Sequence, residues 1–243
     1  MLENISEQIG RSSYITLLNI GASHPNLESF ELVSFREPPL LQERFAGLPN
    51  DLLKRAMGIR ESSVFSFWDS LLAATIEANS RDAEIIRHAL FHNEQPELRT
   101  CIESYGITLE KIENAIGFTQ HNEIVALSSR VNVKGNKTFH LPLLDFHCDS
   151  SEGMLDLVKK VSEELISGDY YVIDSGKSFH LIGTQLLSVG EWTRFLHRAL
   201  LLNPIVDSRF IAHQLIQGEC KLRLTKSTNK TTQPKIVEFV RRH

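Results

Sequence analysis

The sequence predicts an α+β fold: a mixed, antiparallel-rich sheet with helices on one face, preceded by a mostly helical N-terminal region. Beyond residue 120, short apolar and β-branched runs alternate with amphipathic segments in the order ββαββα, followed by further short strands. From Leu40 to about Ala115, apolar side chains instead recur at helical spacing, as in Val64–Ala78. We therefore divide the chain into an N-terminal region, residues 1–115, and a second domain, residues 116–243.

In the N-terminal region, two short runs rich in β-branched and aromatic residues predict strands. They are Tyr14–Ile20 and Phe30–Phe35, separated by a loop that contains glycine and proline. The helical block follows, and Pro96 predicts a new helix that ends at Gly106. Thr108 predicts the N-cap of one more helix.

In the second domain, the turn-like residues Lys134–Lys137 lie between two apolar runs and predict a β-hairpin. Further along, apolar periodicity predicts three helices and alternation predicts several short strands. Ser188 is the expected N-cap of the second of these helices. The predicted helices are Glu152–Ile166, Glu191–Leu202 and Phe210–Ile216, and the strands are Tyr170–Ile173, Ser178–Ile182, Leu222–Thr225 and Ile236–Val240.

The composition is that of a water-soluble globular protein. Hydrophobic residues make up 42% of the chain and charged residues 23%, and no apolar run approaches the length of a membrane span. The three cysteines are far apart and lie outside any CxxC pair, which argues against a disulfide framework and a cysteine-based zinc site. We therefore expect a reducing compartment, the cytoplasm, and no membrane partner.

Charge is distributed unevenly along the chain. Residues 1–130 hold 11 basic and 18 acidic side chains, whereas residues 131–243 hold 15 basic and 12 acidic. Such asymmetry indicates a polyanionic partner for the second part of the chain, although a solvated basic tail explains it equally well. The candidate contacts to DNA or RNA are Arg209, Lys221, Lys226 and Lys230.

Two polar patterns predict a site on a sheet. In the run LLDFHCD, the side chains of Asp145, His147 and Asp149 would share one face of a strand, and Ser178 and His180 would share a face of a later strand. A row of solvent-facing side chains is the alternative for either pattern alone. The presence of both patterns, about thirty residues apart, favours a functional site over a solvent-facing row.

The residue types suit divalent metal ions and phosphates. Asp145 and Asp149 could supply oxygen ligands to Mg²⁺ or Mn²⁺, His147 a nitrogen ligand, and Asp207 a further carboxylate. A cluster of this kind suits two-metal phosphoryl or nucleotidyl transfer. Ser178 and His180 could bind phosphate oxygens, with Lys177 and Arg223 as charged donors, the latter in bidentate form.

The same segments resemble the archaeo-eukaryotic primase superfamily, which includes primase-polymerases and related bacterial domains. The resemblance implies an RRM-like catalytic sheet, two Mg²⁺ or Mn²⁺ ions and template-dependent nucleotidyl transfer from nucleoside triphosphates. It makes Asp145, Asp207 and His180 the catalytic residues. It also implies that Lys177, Ser178, His180 and Arg223 hold the nucleotide's phosphates. The matching segments are LLDFHCD (Leu143–Asp149, with the candidate residues in Asp145–Asp149), SGKSFHLIG (Ser175–Gly183), PIVDSRFIAHQL (Pro204–Leu215) and KLRLTKS (Lys221–Ser227).

One position departs from the family pattern. The family has two acids two residues apart, whereas Asp145 is followed by His147. Asp149 lies about 6.6 Å further along an ideal strand, a large displacement for a metal ligand. Three hypotheses follow: an active primase-polymerase-like nucleotidyltransferase, a catalytically degenerate module that binds nucleotide or nucleic acid and docks a protein partner through its N-terminal helical region, and a structural subunit without ligand.

Overall fold

The computed structural model describes residues 5–37, 50–79, 83–90, 97–117, 123–228 and 230–242. The chain divides into two compact units. The described residues of Met1–Glu37 and Pro96–His243 form the first unit, and those of Pro38–Gln95 form the second. All described strands belong to the first unit. The domain boundary after residue 115 stays a prediction.

The described residues form eight α-helices and nine strands, numbered here in chain order, and two short 3-10 helices, Ile5–Gln8 and Ser13–Ile15. The helices are α1 (Thr16–Ser23), α2 (Asn50–Ser62), α3 (Phe67–Glu77), α4 (Ala83–Leu90), α5 (Leu109–Gly117), α6 (Glu152–Leu165), α7 (Val189–Leu200) and α8 (Ser208–Gln217). The strands are β1 (Leu27–Arg36), β2 (Leu98–Glu103), β3 (Glu123–Val133), β4 (Lys137–His140), β5 (Leu143–Asp145), β6 (Tyr170–Asp174), β7 (Phe179–Gly183), β8 (Lys221–Arg223) and β9 (Lys235–Val240). The predicted α+β fold is confirmed. No helix in the described ranges is both long and apolar enough to cross a membrane.

The first sheet is built around the long strand β3. Its strands follow the order β2-β1-β3-β4, and β8 also pairs with β3. The predicted hairpin is confirmed, because β3 and β4 are antiparallel on either side of the turn at residues 134–136. Ala126 of β3 faces Arg223 of β8. Strands β4 and β8 pair with the same edge of β3. From its place on β8, Arg223 reaches the carbonyl of Ser175, in the turn before Ser178.

The second sheet has the order β5-β7-β6-β9, and all its pairings are antiparallel. The two central strands, β6 and β7, are almost continuously buried because their apolar side chains are covered on both faces. The short β5 forms one edge. A polar side chain at the end of β5 can therefore reach solvent while its neighbours remain in the core.

The helices that follow β5 cover the sheets around one hydrophobic core. Leu127, Val158, Leu181, Trp192 and Ile211, from both sheets and from α6, α7 and α8, are buried in it. Ser188 is the N-cap of α7, as predicted. It also forms a capping box, because its side chain accepts the backbone amide of Glu191 while the Glu191 side chain accepts the backbone amide of Ser188.

The second unit is a small helical unit with its own core. Its buried apolar side chains come from α2, α3 and α4, among them Leu52, Phe67, Leu71 and Ile85. The helix predicted in Val64–Ala78 is confirmed as α3, which begins after an N-cap serine. Predictions for residues 38–49, 80–82 and 91–96 lie outside the described residues.

Two predictions for the N-terminal region are wrong. Tyr14–Ile20 is not a strand, since α1 occupies most of it and buries Leu17 and Ile20, three positions apart, on one face. A short apolar run is compatible with either structure, and packing decides between them. The helix predicted to end at Gly106 is instead the edge strand β2, because pairing with β1 overrides local propensity.

An ion-pair network holds β1, β2, β3 and β8 together at one end of the first sheet. Glu219, whose side chain is 3% exposed, lies within 3.3 Å of Lys221 Nζ and pairs with Arg99. Arg99 also contacts Glu31 at 2.7 Å, and Ser128 donates a hydrogen bond of 2.6 Å to Glu219. Burial alone would raise the pKa of Glu219, but the bonds from Arg99 and Ser128 and the charge of Lys221 lower it to about 2.

We predict that Glu219→Gln lowers the free energy of unfolding by about 2 kcal/mol at pH 7, because Arg99 and the buried Lys221 side chain lose a shared carboxylate and keep their bonds to Glu31 and Glu97. The folded-state pKa lies below the ordinary 4.5, so the contribution is complete above pH 4.5 and is lost as the pH falls toward 2. Urea unfolding across this range measures it, with Glu31→Gln as the milder control. Equal stability of Glu219→Gln and wild type at pH 7 would contradict the network's role.

Candidate functional site

The candidate site lies where β5 ends beside β7. Asp145, the last residue of β5, is the antiparallel partner of His180 on β7. Directly opposed residues point to the same face of a sheet, and His180 Nε2 lies 3.6 Å from Asp145 Oδ1. Ser178, just before β7, approaches the same oxygen, with its Oγ at 3.4 Å. The register therefore brings a carboxylate, a hydroxyl and an imidazole together.

Asp207 is placed beside this group by a third extended segment. Phe146 and Val206 form an antiparallel bridge, and the backbone amide of Asp207 donates a 3.0 Å hydrogen bond to the carbonyl of Asp145. The Asp207 side chain is also the N-cap of α8, since its Oδ1 accepts the backbone amide of Phe210 at 2.9 Å. The cap uses one of the two carboxylate oxygens and fixes the orientation of the group.

A tight turn positions Ser178. The amide and the hydroxyl of Ser175 both donate to the carbonyl of Ser178 at 2.9 Å. Gly176 has a φ of +94°, a conformation that favours glycine, and its amide donates to Asp174 Oδ1 at 2.7 Å. Lys177 is exposed between them. The turn thus places a cation next to a fixed hydroxyl.

Burial changes the protonation of both central groups. It raises the pKa of Asp145 to about 7, with a further rise from the nearby Asp207; the charges of Lys230 and Arg223 and the Ser178 hydrogen bond oppose this. Burial, followed by the charges of Lys230 and Arg223, lowers the pKa of His180 well below 6.5. A neutral imidazole therefore lies beside a carboxyl group whose ionisation is shifted from acidic toward neutral pH.

The strand predicted through Asp149 is shorter than expected. β5 ends at Asp145, and the chain bends at His147, where the backbone amide bonds to Ile205 instead of continuing in the sheet. His147 and Asp149 are both exposed, and Asp149 Oδ1 accepts the amide of Ser151 at 3.1 Å. Residues 145–147 pair with residues 205–207, so the chain does not continue as the strand through Asp149 in which Asp145, His147 and Asp149 would share one face.

The donors at the site fit one divalent ion better than two. In the ranges that the structure describes, no three His, Cys, Asp or Glu side chains form a cluster that could hold a metal. Asp145 and Asp207 remain, joined through the hydrogen bond between their backbones. Mg²⁺ is commonly bound by one or two carboxylates together with substrate phosphates, so this pair suits an ion that arrives with a nucleotide.

The other basic candidates have different surroundings. Lys221 is engaged by Glu219 and Glu97, and its side chain is only 8% exposed. Lys226 is exposed, whereas Arg209 and Lys230 are half-buried. Of these four side chains, that of Lys230 carries a charge that lowers the pKa of both Asp145 and His180.

Two residues of the site were missed by sequence reasoning. Ser175 is buried and braces Ser178 through its hydroxyl. Thr232 packs against Gly176, and its carbonyl accepts a hydrogen bond from Arg223 Nη1 at 3.0 Å. The Ser-Gly pair signalled a turn, but nothing in the sequence pattern marked Thr232, because its contact depends on how the β8–β9 loop folds back.

Comparison with known proteins gives one match. The family model described as archaeo-eukaryotic primase 1D-like (AEP-like) matches residues 106–238, more than half of the chain and the whole of the candidate site. Neither the curated proteins nor the solved structures compared with the chain give a match. The matched region contains all the segments on which the sequence resemblance rests.

We predict that Asp145→Asn stabilises the protein at high pH. The folded-state pKa of about 7 lies above the ordinary 3.8, so ionisation of this carboxyl costs stability as the pH rises through this interval. At pH 8 the variant should be more stable by up to about 4 kcal/mol, and the difference should shrink toward pH 4.

Thermal unfolding of both proteins from pH 4 to pH 8 measures this difference. Asp149→Asn is the matched control, because the Ser151 hydrogen bonds lower the pKa of that exposed carboxyl, so its removal should give no gain at pH 8. A stability difference between Asp145→Asn and wild type that does not change with pH would contradict the burial of Asp145.

Proposed function

Because the chain belongs to the archaeo-eukaryotic primase-like family, we propose that the site where β5 meets β7 binds a nucleoside triphosphate. The observation that carries this proposal is the convergence of Ser178, His180 and Asp145 within 3.6 Å, with Asp207 alongside. Family membership also suggests a divalent metal ion and a nucleic-acid partner.

In this proposal the triphosphate lies against the turn before β7. Ser178 donates its hydroxyl to a phosphate oxygen, and His180, held neutral by burial, donates one N–H. The exposed Lys177 and the half-buried Lys230 supply positive charge. Hydrogen bonds to a charged phosphate are stronger than those between neutral groups, so a few such contacts suffice for binding.

Asp145 and Asp207 would hold one Mg²⁺ or Mn²⁺ ion. The ion would neutralise phosphate charge between the two carboxylates and the nucleotide. The pKa of Asp145 is about 7, so part of the protein carries this carboxyl protonated at neutral pH. The carboxyl must lose that proton before it can bind a metal ion. Nucleotide binding with metal is therefore expected to release protons.

We favour nucleotide binding without strand synthesis, the degenerate form of the family. The second family acid is replaced by His147, which is exposed at a bend, and Asp149 bonds to Ser151. Template-directed synthesis of DNA or RNA is the second candidate, and it is favoured by the placement of Asp145 beside Asp207.

Nucleic acid and protein partners complete the proposal. Exposed Lys226 and half-buried Arg209 are the proposed contacts to DNA or RNA, and the helical unit at residues 38–95 is the proposed docking part for a protein. We place this function in the cytoplasm, where the three free cysteines would stay reduced.

We predict that Ser178→Ala weakens ATP binding about tenfold or more, because one hydrogen bond to a charged phosphate is lost. Calorimetric titration with ATP in Mg²⁺ and in Mn²⁺ measures the affinity. Ser167→Ala is the matched control, since Ser167 is exposed and bonds to Gln185 away from the site. An unchanged affinity in Ser178→Ala would contradict the proposed position of the triphosphate.

Primer extension separates the two candidates. We expect no product from the wild type in Mg²⁺ or Mn²⁺. A metal-dependent product that disappears in Asp145→Asn/Asp207→Asn would instead establish a nucleotidyltransferase. Asparagine is a good N-cap, so this substitution at Asp207 should keep α8 intact and remove only the charge.

A further inference from the structure

The side chain of Arg223 donates hydrogen bonds to backbone carbonyls around the site. The residue is buried at the end of β8, and its Nη2 donates to the carbonyl of Ser175 at 2.6 Å. Its Nη1 donates to the carbonyls of Thr232, at 3.0 Å, and of Thr225. One guanidinium therefore joins the turn that precedes Ser178 to both ends of the loop between β8 and β9.

The turn and the loop also meet in van der Waals contact. A Cβ added at Gly176 would lie 2.7 Å from Thr232 Cβ, closer than any side chain tolerates. The backbone of the turn therefore approaches the loop at a distance that only glycine allows. The contact lies beside the hydrogen bonds from Arg223, so the two features act on the same pair of segments.

The loop carries Lys230 in a defined conformation. The amide of Ser227 donates to the Lys230 carbonyl at 2.8 Å, and the amide of Lys230 donates to Ser227 Oγ at 2.9 Å. The amide of Thr228 donates to Glu37 Oε2 at 2.7 Å. These bonds shape the loop, and its contacts with Arg223 fix it relative to the turn.

We propose that Arg223 is a positioning residue: it clamps the 175–178 turn to the β8–β9 loop, so that Ser178 and Lys230 reach one triphosphate from two sides. This inference rests on the proposed nucleotide binding, and it replaces the direct phosphate contact that the resemblance implies for Arg223. A direct contact would require the guanidinium to leave carbonyls that it bonds inside the protein.

Arg223→Lys tests the clamp by phosphate binding, and hydrogen exchange without ligand then separates the clamp from a direct phosphate ligand. Lysine keeps the charge that a phosphate needs but cannot reproduce a planar fork that donates to three carbonyls. We expect about tenfold weaker binding of sodium tripolyphosphate by calorimetry, similar to the effect of Lys230→Met. Affinity within about threefold of wild type in Arg223→Lys would overturn the positioning role.

Hydrogen exchange tests the clamp without any ligand. In Arg223→Lys, amides in residues 174–178, 224–228 and 230–234 should exchange about tenfold faster or more, while those of β3 stay unchanged. Lys230→Met should leave both segments as in the wild type. Unchanged exchange in Arg223→Lys would overturn the clamp and leave the nucleotide proposal standing. Failure of the wild type to bind tripolyphosphate and ATP would overturn the nucleotide proposal, and with it the role of the clamp in ligand binding.

A second route tests the same contact. Gly176→Ala should reproduce the faster exchange and weaker binding, because its methyl group would collide with Thr232. Adding Thr232→Gly removes the colliding atom, so the double variant should recover part of the tripolyphosphate affinity, the strain at φ +94° remaining. If the double variant binds tripolyphosphate no better than Gly176→Ala, the contact between Gly176 and Thr232 does not control the affinity, and this part of the clamp is overturned.

Discussion

The antiparallel register of β5 and β7 is the constraint on which the rest of the site depends. It sets Asp145 opposite His180, so the carboxyl and the imidazole share a face and lie 3.6 Å apart. A slip of one residue would turn one of them into the core. Because β5 is an edge strand, its backbone also pairs with residues 205–207, and this pairing brings Asp207 to the same place.

The site combines the buried His180 with the partly buried Asp145, and loss of water shifts their pKa values in opposite directions. It lowers the pKa of His180 and raises that of Asp145, while the charges of Lys230 and Arg223 lower both. The cost of removing a carboxylate from water is therefore only partly offset in the free protein. A phosphate and its metal ion would satisfy the remaining charges, which is a physical reason for a ligand at this position.

The sequence identifies the residues that meet at the site better than it predicts how the chain arranges them. The S-x-H spacing and the isolated Asp207 are readable because strand alternation and helix capping are local rules. His147 could not be placed correctly, since the end of β5 depends on pairing with a segment about sixty residues later. Arg223 was identified as a charged donor, but its partners are carbonyls from distant turns. The α+β fold was predictable from periodicity, whereas β2 required its pairing with β1.

A crystal structure with ATP and Mn²⁺ tests the central claim most directly, since the anomalous signal of manganese locates the ion independently of the nucleotide. The account predicts a triphosphate against Ser178 and His180, with a single ion between Asp145 and Asp207. Triphosphate density elsewhere, for example in the cavity of about 590 Å³ between Asn19 and Tyr105, would contradict it. So would two ions with His147 as a ligand, which would restore the case for strand synthesis.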